Sequence, residues 1–99
     1  MITEEQVKNA LKEVFDPEIG INVVDLGLIY DIKIDGPNIH LTMTMTTPAC
    51  PVIPMILDNA RMAIGKVEGV KSAEIDLVWD PPWTPERMSE DAKAQLGMV

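Results

Sequence analysis

Ile39-His40-Leu41-Thr42-Met43-Thr44-Met45-Thr46 alternates apolar and polar residues without a fault. A period of two predicts a β-strand with one buried face. Ile39, Leu41, Met43 and Met45 are expected to point inward, and His40, Thr42, Thr44 and Thr46 outward. Pro48 and Pro51 end that strand. Ile53, Ile56, Leu57, Ala60, Ala63 and Ile64 then recur at helical spacing up to about Gly65. Val67-Glu68-Gly69-Val70 reads as a turn. From Lys71 to Trp79 the period returns to two, with Ala73, Ile75, Leu77 and Trp79 on one face against Ser72, Glu74, Asp76 and Asp80. Strand, helix and strand in that order predict a β-α-β crossover with parallel strands and a right-handed connection.

Ahead of this unit, Leu28 to Ile34 reads as another strand, with Leu28, Tyr30, Ile32 and Ile34 inward and Asp31 and Lys33 outward. Asp35-Gly36-Pro37-Asn38 is strong turn chemistry and joins the two strands into an antiparallel hairpin. Further back, Thr3 and Gln6 fit a capping box. Val7, Leu11 and Val14, with Ala10 and Phe15 beside them, predict a helix from about Thr3 to Val14. Pro17 stops it, because the residue before a proline is pushed out of helical geometry. Ile19 to Gly27 is expected to be an ordered connection. Beyond the third strand, Asp80-Pro81-Pro82-Trp83 is stiff and extended. Thr84-Pro85-Glu86 looks like a helix start, and Ser89-Glu90-Asp91 offers another cap, with the last helix ending near Leu96 and Gly97 just beyond. The expected fold is α+β (mixed α/β): one two-layer domain over residues 1–99, order α-β-β-α-β-α, with helices on the apolar face of a small mixed sheet.

Composition limits the function. Sixteen acids against eight bases give a net charge of −8. Nucleic acid and anionic membrane surfaces both want a basic footprint, so neither is an expected partner. No apolar run approaches the ~20 residues of a membrane helix. The acidic Met1-Ile2-Thr3-Glu4-Glu5 start lacks the pattern of a signal peptide. With one cysteine, Cys50, neither an intrachain disulfide nor a closed thiolate metal site is available. A reducing, cytoplasmic setting is expected.

Cys50 lies in Thr46-Thr47-Pro48-Ala49-Cys50-Pro51, between the second strand and the long helix. Two readings stand side by side. Free cysteine is often a small buried hydrophobe. A thiol at a helix start also feels the positive end of the helix dipole, which favours the thiolate needed for metal binding or attack. Pro54 leaves open whether Cys50 caps the helix or sits a turn before it. Thr46 and Thr47 adjoin the thiol and can hydrogen-bond a thiolate or a ligand. The one histidine, His40, lies roughly 20 Å along the strand from Thr46 at ~3.3 Å per residue, so it makes no dyad with Cys50 and reads as a solvated strand residue. Asp16, Glu18 and Asp25 could hold a hard cation or move protons, but their spacing matches no calcium loop, and turn or capping acids are the plainer reading. Trp79-Asp80-Pro81-Pro82-Trp83-Thr84 carries two of the four aromatic residues. It reads either as a stiff corner packing the last helix or, through Trp79, Trp83 and Thr84, as a docking edge.

Four ordered blocks carry a resemblance: Asp16-Pro17-Glu18-Ile19-Gly20; Val24-Asp25-Leu26-Gly27-Leu28-Ile29-Tyr30; Thr46-Thr47-Pro48-Ala49-Cys50-Pro51; and Val78-Trp79-Asp80-Pro81-Pro82-Trp83-Thr84 with Met88-Ser89. Together they resemble the MIP18 family, formerly domain of unknown function 59 (DUF59), with its SufT-like and PaaD-like members. The resemblance spans nearly the whole chain. It implies a small α/β domain acting in iron–sulfur cluster assembly or transfer. It also implies that Cys50 is the cysteine that matters, with Asp16, Glu18, Asp25 and Thr46 as further signature polar positions. PaaD-like proteins of phenylacetate pathways carry a cysteine-rich C-terminal extension. This chain ends at Val99 without a second cysteine, which favours the SufT-like reading over a PaaD-like part in maturing a phenylacetate-type oxygenase.

The expected function is therefore a non-enzymatic maturation factor. It would bind metal transiently through Cys50, sharing an iron–sulfur cluster with a second chain, as in a homodimer, or with assembly or client proteins. Clusters usually take about four protein ligands, and this chain supplies one thiolate. The alternatives are an adaptor docking through the Trp79–Thr84 corner, and an enzyme using Cys50 with Asp16, Glu18 or Asp25. The enzyme ranks last because the sequence places no base beside the thiol.

Overall fold

The computed structural model describes residues 2–17, 19–46, 51–95 and 97. In chain order the elements are α1 (Glu4–Leu11), β1 (Phe15–Asp16), β2 (Ile21–Asn22), β3 (Ile29–Asp35), β4 (Asn38–Met43), α2 (Ile53–Gly65), β5 (Ser72–Leu77), a 3-10 turn (Pro85–Arg87) and α3 (Glu90–Gln95). The expected order is present, with one addition: β1 and β2 form a separate antiparallel pair.

The capping box forms as read. Gln6 N–H donates to Thr3 Oγ1 (3.2 Å) and Thr3 N–H to Gln6 Oε1 (2.9 Å). The helix stops at Leu11 rather than Val14. Glu13 and Val14 donate instead to the carbonyls three residues back, tightening the exit. Phe15 then pairs with Asn22 and Asp16 with Ile21, so the stretch read as a helix stop is a short strand. Phe15, grouped with the apolar stripe in the sequence reading, is 49% exposed.

The main sheet has order β3-β4-β5, antiparallel between β3 and β4 and parallel between β4 and β5. The parallel pair is the predicted crossover around α2. The register stacks the core in rows: Ile34, Ile39 and Ala73; Ile32, Leu41 and Ile75; Ile29, Met43 and Leu77. Against this face pack Val7 and Leu11 of α1 and Ile56, Ala60 and Ile64 of α2, all fully buried. Each of the valine, leucine and isoleucine side chains among them contributes about 1.5–3 kcal/mol of transfer free energy. The opposite face is polar, as one solvated side of a small sheet allows.

The hairpin turn holds Gly36 at φ +59°, the positive value that the first central position of a type II′ turn needs, with Pro37 supplying the negative φ after it. Two inward assignments shift. A bulge between Ile29 and Asp31 puts Ile29 opposite Met43 and leaves Tyr30 as the extra residue, out of the core row. The third strand ends at Leu77, so Trp79 leaves the sheet and is 42% exposed.

At the C-terminal end, Met88 and Ala92 are buried in the same core. Ser89 caps α3: its Oγ accepts from Ala92 N–H (3.1 Å). Replacing Ser89 with alanine is expected to cost about 1 kcal/mol, read as a lower urea midpoint with an unchanged slope.

Candidate functional site

β4 and β5 are parallel and finish together, Met43 opposite Leu77, with Val78 N–H donating to the Met43 carbonyl (2.8 Å). The chain then leaves the sheet at one end. Thr44 N–H donates to the Leu28 carbonyl (2.8 Å), extending the pairing beyond the regular strand. Thr44 and Met45 are buried, so Thr44 is not outward as the alternation predicts. Thr46 is half-buried at the bend that follows. Thr47 and Cys50 lie outside the described residues, as does Glu18.

Beyond them, Pro51 is exposed and α2 starts at Ile53, with Val52 as N-cap and Pro54 in the first turn. The cap is therefore not Cys50, which stands two positions before it in sequence. Proline in the first turn costs no intrahelical bond. This helix start has no side-chain cap and no acid in its first turn. Its positive end is therefore left uncompensated by the helix itself, on the side from which the cysteine segment enters.

The acids are held as parts of turns. The Asp16 backbone carbonyl accepts from Ile19 and Gly20 N–H (3.2 and 2.7 Å), and its side chain is buried, with 2% exposure, and not without a partner. Asp25 accepts from the Asn22 side-chain amide (2.9 Å), while Asn22 Oδ1 takes the N–H groups of Val24 and Asp25 (3.0 and 2.9 Å). Asn22 is opposite Phe15, so Asp16 and Asp25 belong to one small corner built on β1 and β2. Among the described residues, no group of three or more histidine, cysteine or acidic side chains is arranged to hold a metal ion.

His40 is more than a solvated strand residue. Its Nε2 is 2.6 Å from Asp76 and its Nδ1 3.8 Å from Glu74, both on β5. The ring is thus engaged on the polar sheet face.

The tryptophan–proline segment divides in two. Trp83 is half-buried, and its Nε1–H donates to the Leu26 carbonyl (2.6 Å). Tyr30, freed by the bulge, donates its hydroxyl to the Pro81 carbonyl (2.6 Å), across the cis Asp80–Pro81 peptide from Trp79. Arg87 lies over the Tyr30 ring at 4.7 Å, and Ser89 N–H donates to the Asp25 carbonyl (2.7 Å). Residues 78–89 therefore form a strap from β5 back to the turn before β3. Thr84 is exposed and leads into the 3-10 turn. Trp83 is a structural anchor, so Trp83→Phe is expected to lower stability by about 1 kcal/mol through the lost hydrogen bond. Thermal unfolding would show it as a fall of roughly 4–8 °C. Tyr30, Leu26, Gly27 and Arg87 were not singled out by spacing. Leu26, Gly27 and Tyr30 did fall within the second block that carried the family resemblance.

Residues 4–77 match the family described as iron–sulfur cluster assembly protein. The chain belongs to that family. It is 43% identical over 96 residues to the Fe-S protein maturation auxiliary factor YitW of Bacillus subtilis, covering 96% of this chain and 94% of the relative. It is 38% identical over 86 residues to the Fe-S protein maturation auxiliary factor SufT of Staphylococcus aureus, covering 86% and 98%. The crystal structure of a DUF59 domain from Bacillus anthracis superposes with a TM-score of 0.91 at 40% identity, covering 97% of this chain and 92% of that one. The resemblance drawn from the four sequence blocks is thus a family membership. As an iron–sulfur cluster assembly family member, the chain has the small mixed α/β fold of its solved neighbour.

Proposed function

We propose that this chain is a maturation factor for iron–sulfur proteins that carries, or helps hand on, a cluster through Cys50. The observation that carries the reading is the family match combined with a single thiol in the chain. Relatives covered over nearly their full length are named maturation factors. One thiolate against the usual four or so ligands means open, shared ligation, with the remaining ligands coming from a second chain, a partner's thiols or a small thiol. Shared ligation is labile, which suits cargo that must leave. A helix start with no side-chain cap from Val52 and no acid in its first turn favours a thiolate in the segment that precedes it, and Thr46 and Thr47 are hydroxyls of that segment. Asp16 and Asp25 serve as structural acids of the corner built on β1 and β2, and Glu18 is a signature acid of the same stretch of sequence. The cluster is substrate here, not a resident group, and no bond-breaking chemistry by the protein is invoked.

The reading treats residues 1–99 as one domain working in the cytoplasm. Among the described residues no helix is long and apolar enough to cross a membrane. Anaerobic reconstitution with iron and sulfide tests the function. Wild type is expected to gain the visible absorption of a cluster, and Cys50→Ala to lose it. Equal spectra for the two proteins would refute ligation by Cys50.

A further inference from the structure

Trp79 is set apart from the other indole. It is 42% exposed and makes no hydrogen bond or cation contact among the described residues, whereas Trp83 is pinned to Leu26. The strap sequence that carries it holds two acids and one base. Asp80 follows it and Glu86 lies further along, and neither takes part in an ion pair among the described residues. The strap's one base, Arg87, already has its guanidinium on Tyr30. The whole chain carries −8. An exposed indole followed in the chain by an unpaired carboxylate, Asp80, is complementary to a planar cation on an apolar stem, which can stack on the ring and pair with the acid. Arginine supplies both parts. The same charge disfavours nucleic acid on this surface.

We propose that Trp79 anchors a docking surface for an arginine-bearing segment of a protein partner, with Asp80 supplying charge complementarity. The surface sits where it would be useful. Trp79 is two residues past the last β5 pair, and Thr46 is three past the last β4 pair, at the same end of the sheet. A segment held on Trp79 therefore brings its protein to the end from which the Cys50 segment departs. The identity of that protein as an assembly or client protein rests on the maturation reading. The recognition chemistry does not.

The test uses the full chain without a cluster, so its failure is separate from failure of cluster binding. The two indole N–H signals are followed by NMR while a short peptide alternating arginine and leucine is added, with a glutamate–leucine peptide as control. The Trp79 signal is expected to move saturably with the arginine peptide alone, and the Trp83 signal to stay. Trp79→Ala should weaken binding about tenfold or more, as for an aromatic hot spot, while Trp79→Phe keeps part of it. Asp80→Asn should reduce the salt dependence. Unchanged binding by Trp79→Ala, or no peptide response at Trp79, would overturn the proposal. So would an equal response to the glutamate peptide, or a shift of the Trp79 signal on concentrating the protein alone, which would make a second copy the occupant.

Discussion

Gly27→Ala is expected to destabilise the protein by roughly 2–5 kcal/mol, the largest loss from a single added methyl group among its glycines. The sum has two parts. Gly27 has φ +76°, where a side chain costs about 1–2 kcal/mol. A methyl there would also stand 2.2 Å from the Arg87 carbonyl oxygen and 2.7 Å from its carbon, both backbone atoms. Relief requires moving the strap, an overpacking cost of about 1–3 kcal/mol. The strap is tied on either side of that contact, by Trp83 to Leu26 and by Ser89 to Asp25, so it cannot shift without loosening them. Gly36→Ala is the control: φ is +59° but nothing lies within 4 Å, so only the backbone part of about 1–2 kcal/mol applies. Urea unfolding of the two variants should show Gly27→Ala clearly the less stable. Equal losses would mean that the strap does not press on the turn as described.

The long periodic segments were legible because period alone identifies them. Ile39 to Met45, the Ile53–Ile64 stripe and the Lys71–Trp79 alternation gave the crossover, and the Asp35–Asn38 turn gave the hairpin; that β5 lies beside β4 came from the structure. What escaped has common physical causes. Two-residue strands such as Phe15–Asp16 are too short to show a period. The bulge at Tyr30 depends on register against β4, which no local pattern encodes. Thr44 breaks the alternation, because β4 ends at Met43 and Thr44 and Met45 are both buried beyond it. Trp79 and Trp83 look alike in sequence, both beside Asp-Pro-Pro, and only the carbonyl of Leu26 tells them apart. The site was legible to a different degree. Composition narrowed the chemistry to one thiol, and family likeness singled out Cys50. Of its suggested companions, Asp25 emerged as a turn acid held by Asn22.

Cys50→Ala carries the other large expected effect, and it falls on cargo. With one thiol per chain, removing it removes every thiolate this protein can offer. Iron retained after reconstitution and desalting should fall to background, because backbone and carboxylate oxygens are poor ligands for a cluster that prefers sulfur. A partial loss would point to a second ligand within the chain. Shared ligation adds a prediction that the variant alone does not test: the wild-type cluster should never be found on one chain without further sulfur ligands.

Native mass spectrometry of the reconstituted wild-type protein, kept anaerobic and prepared with and without a small thiol such as glutathione, tests that claim most directly. The account predicts cluster mass only on species holding two chains or one chain with added thiol ligands, and none in Cys50→Ala. A cluster of unaltered mass on a single chain with no added thiol, or on the Cys50→Ala chain, would contradict it.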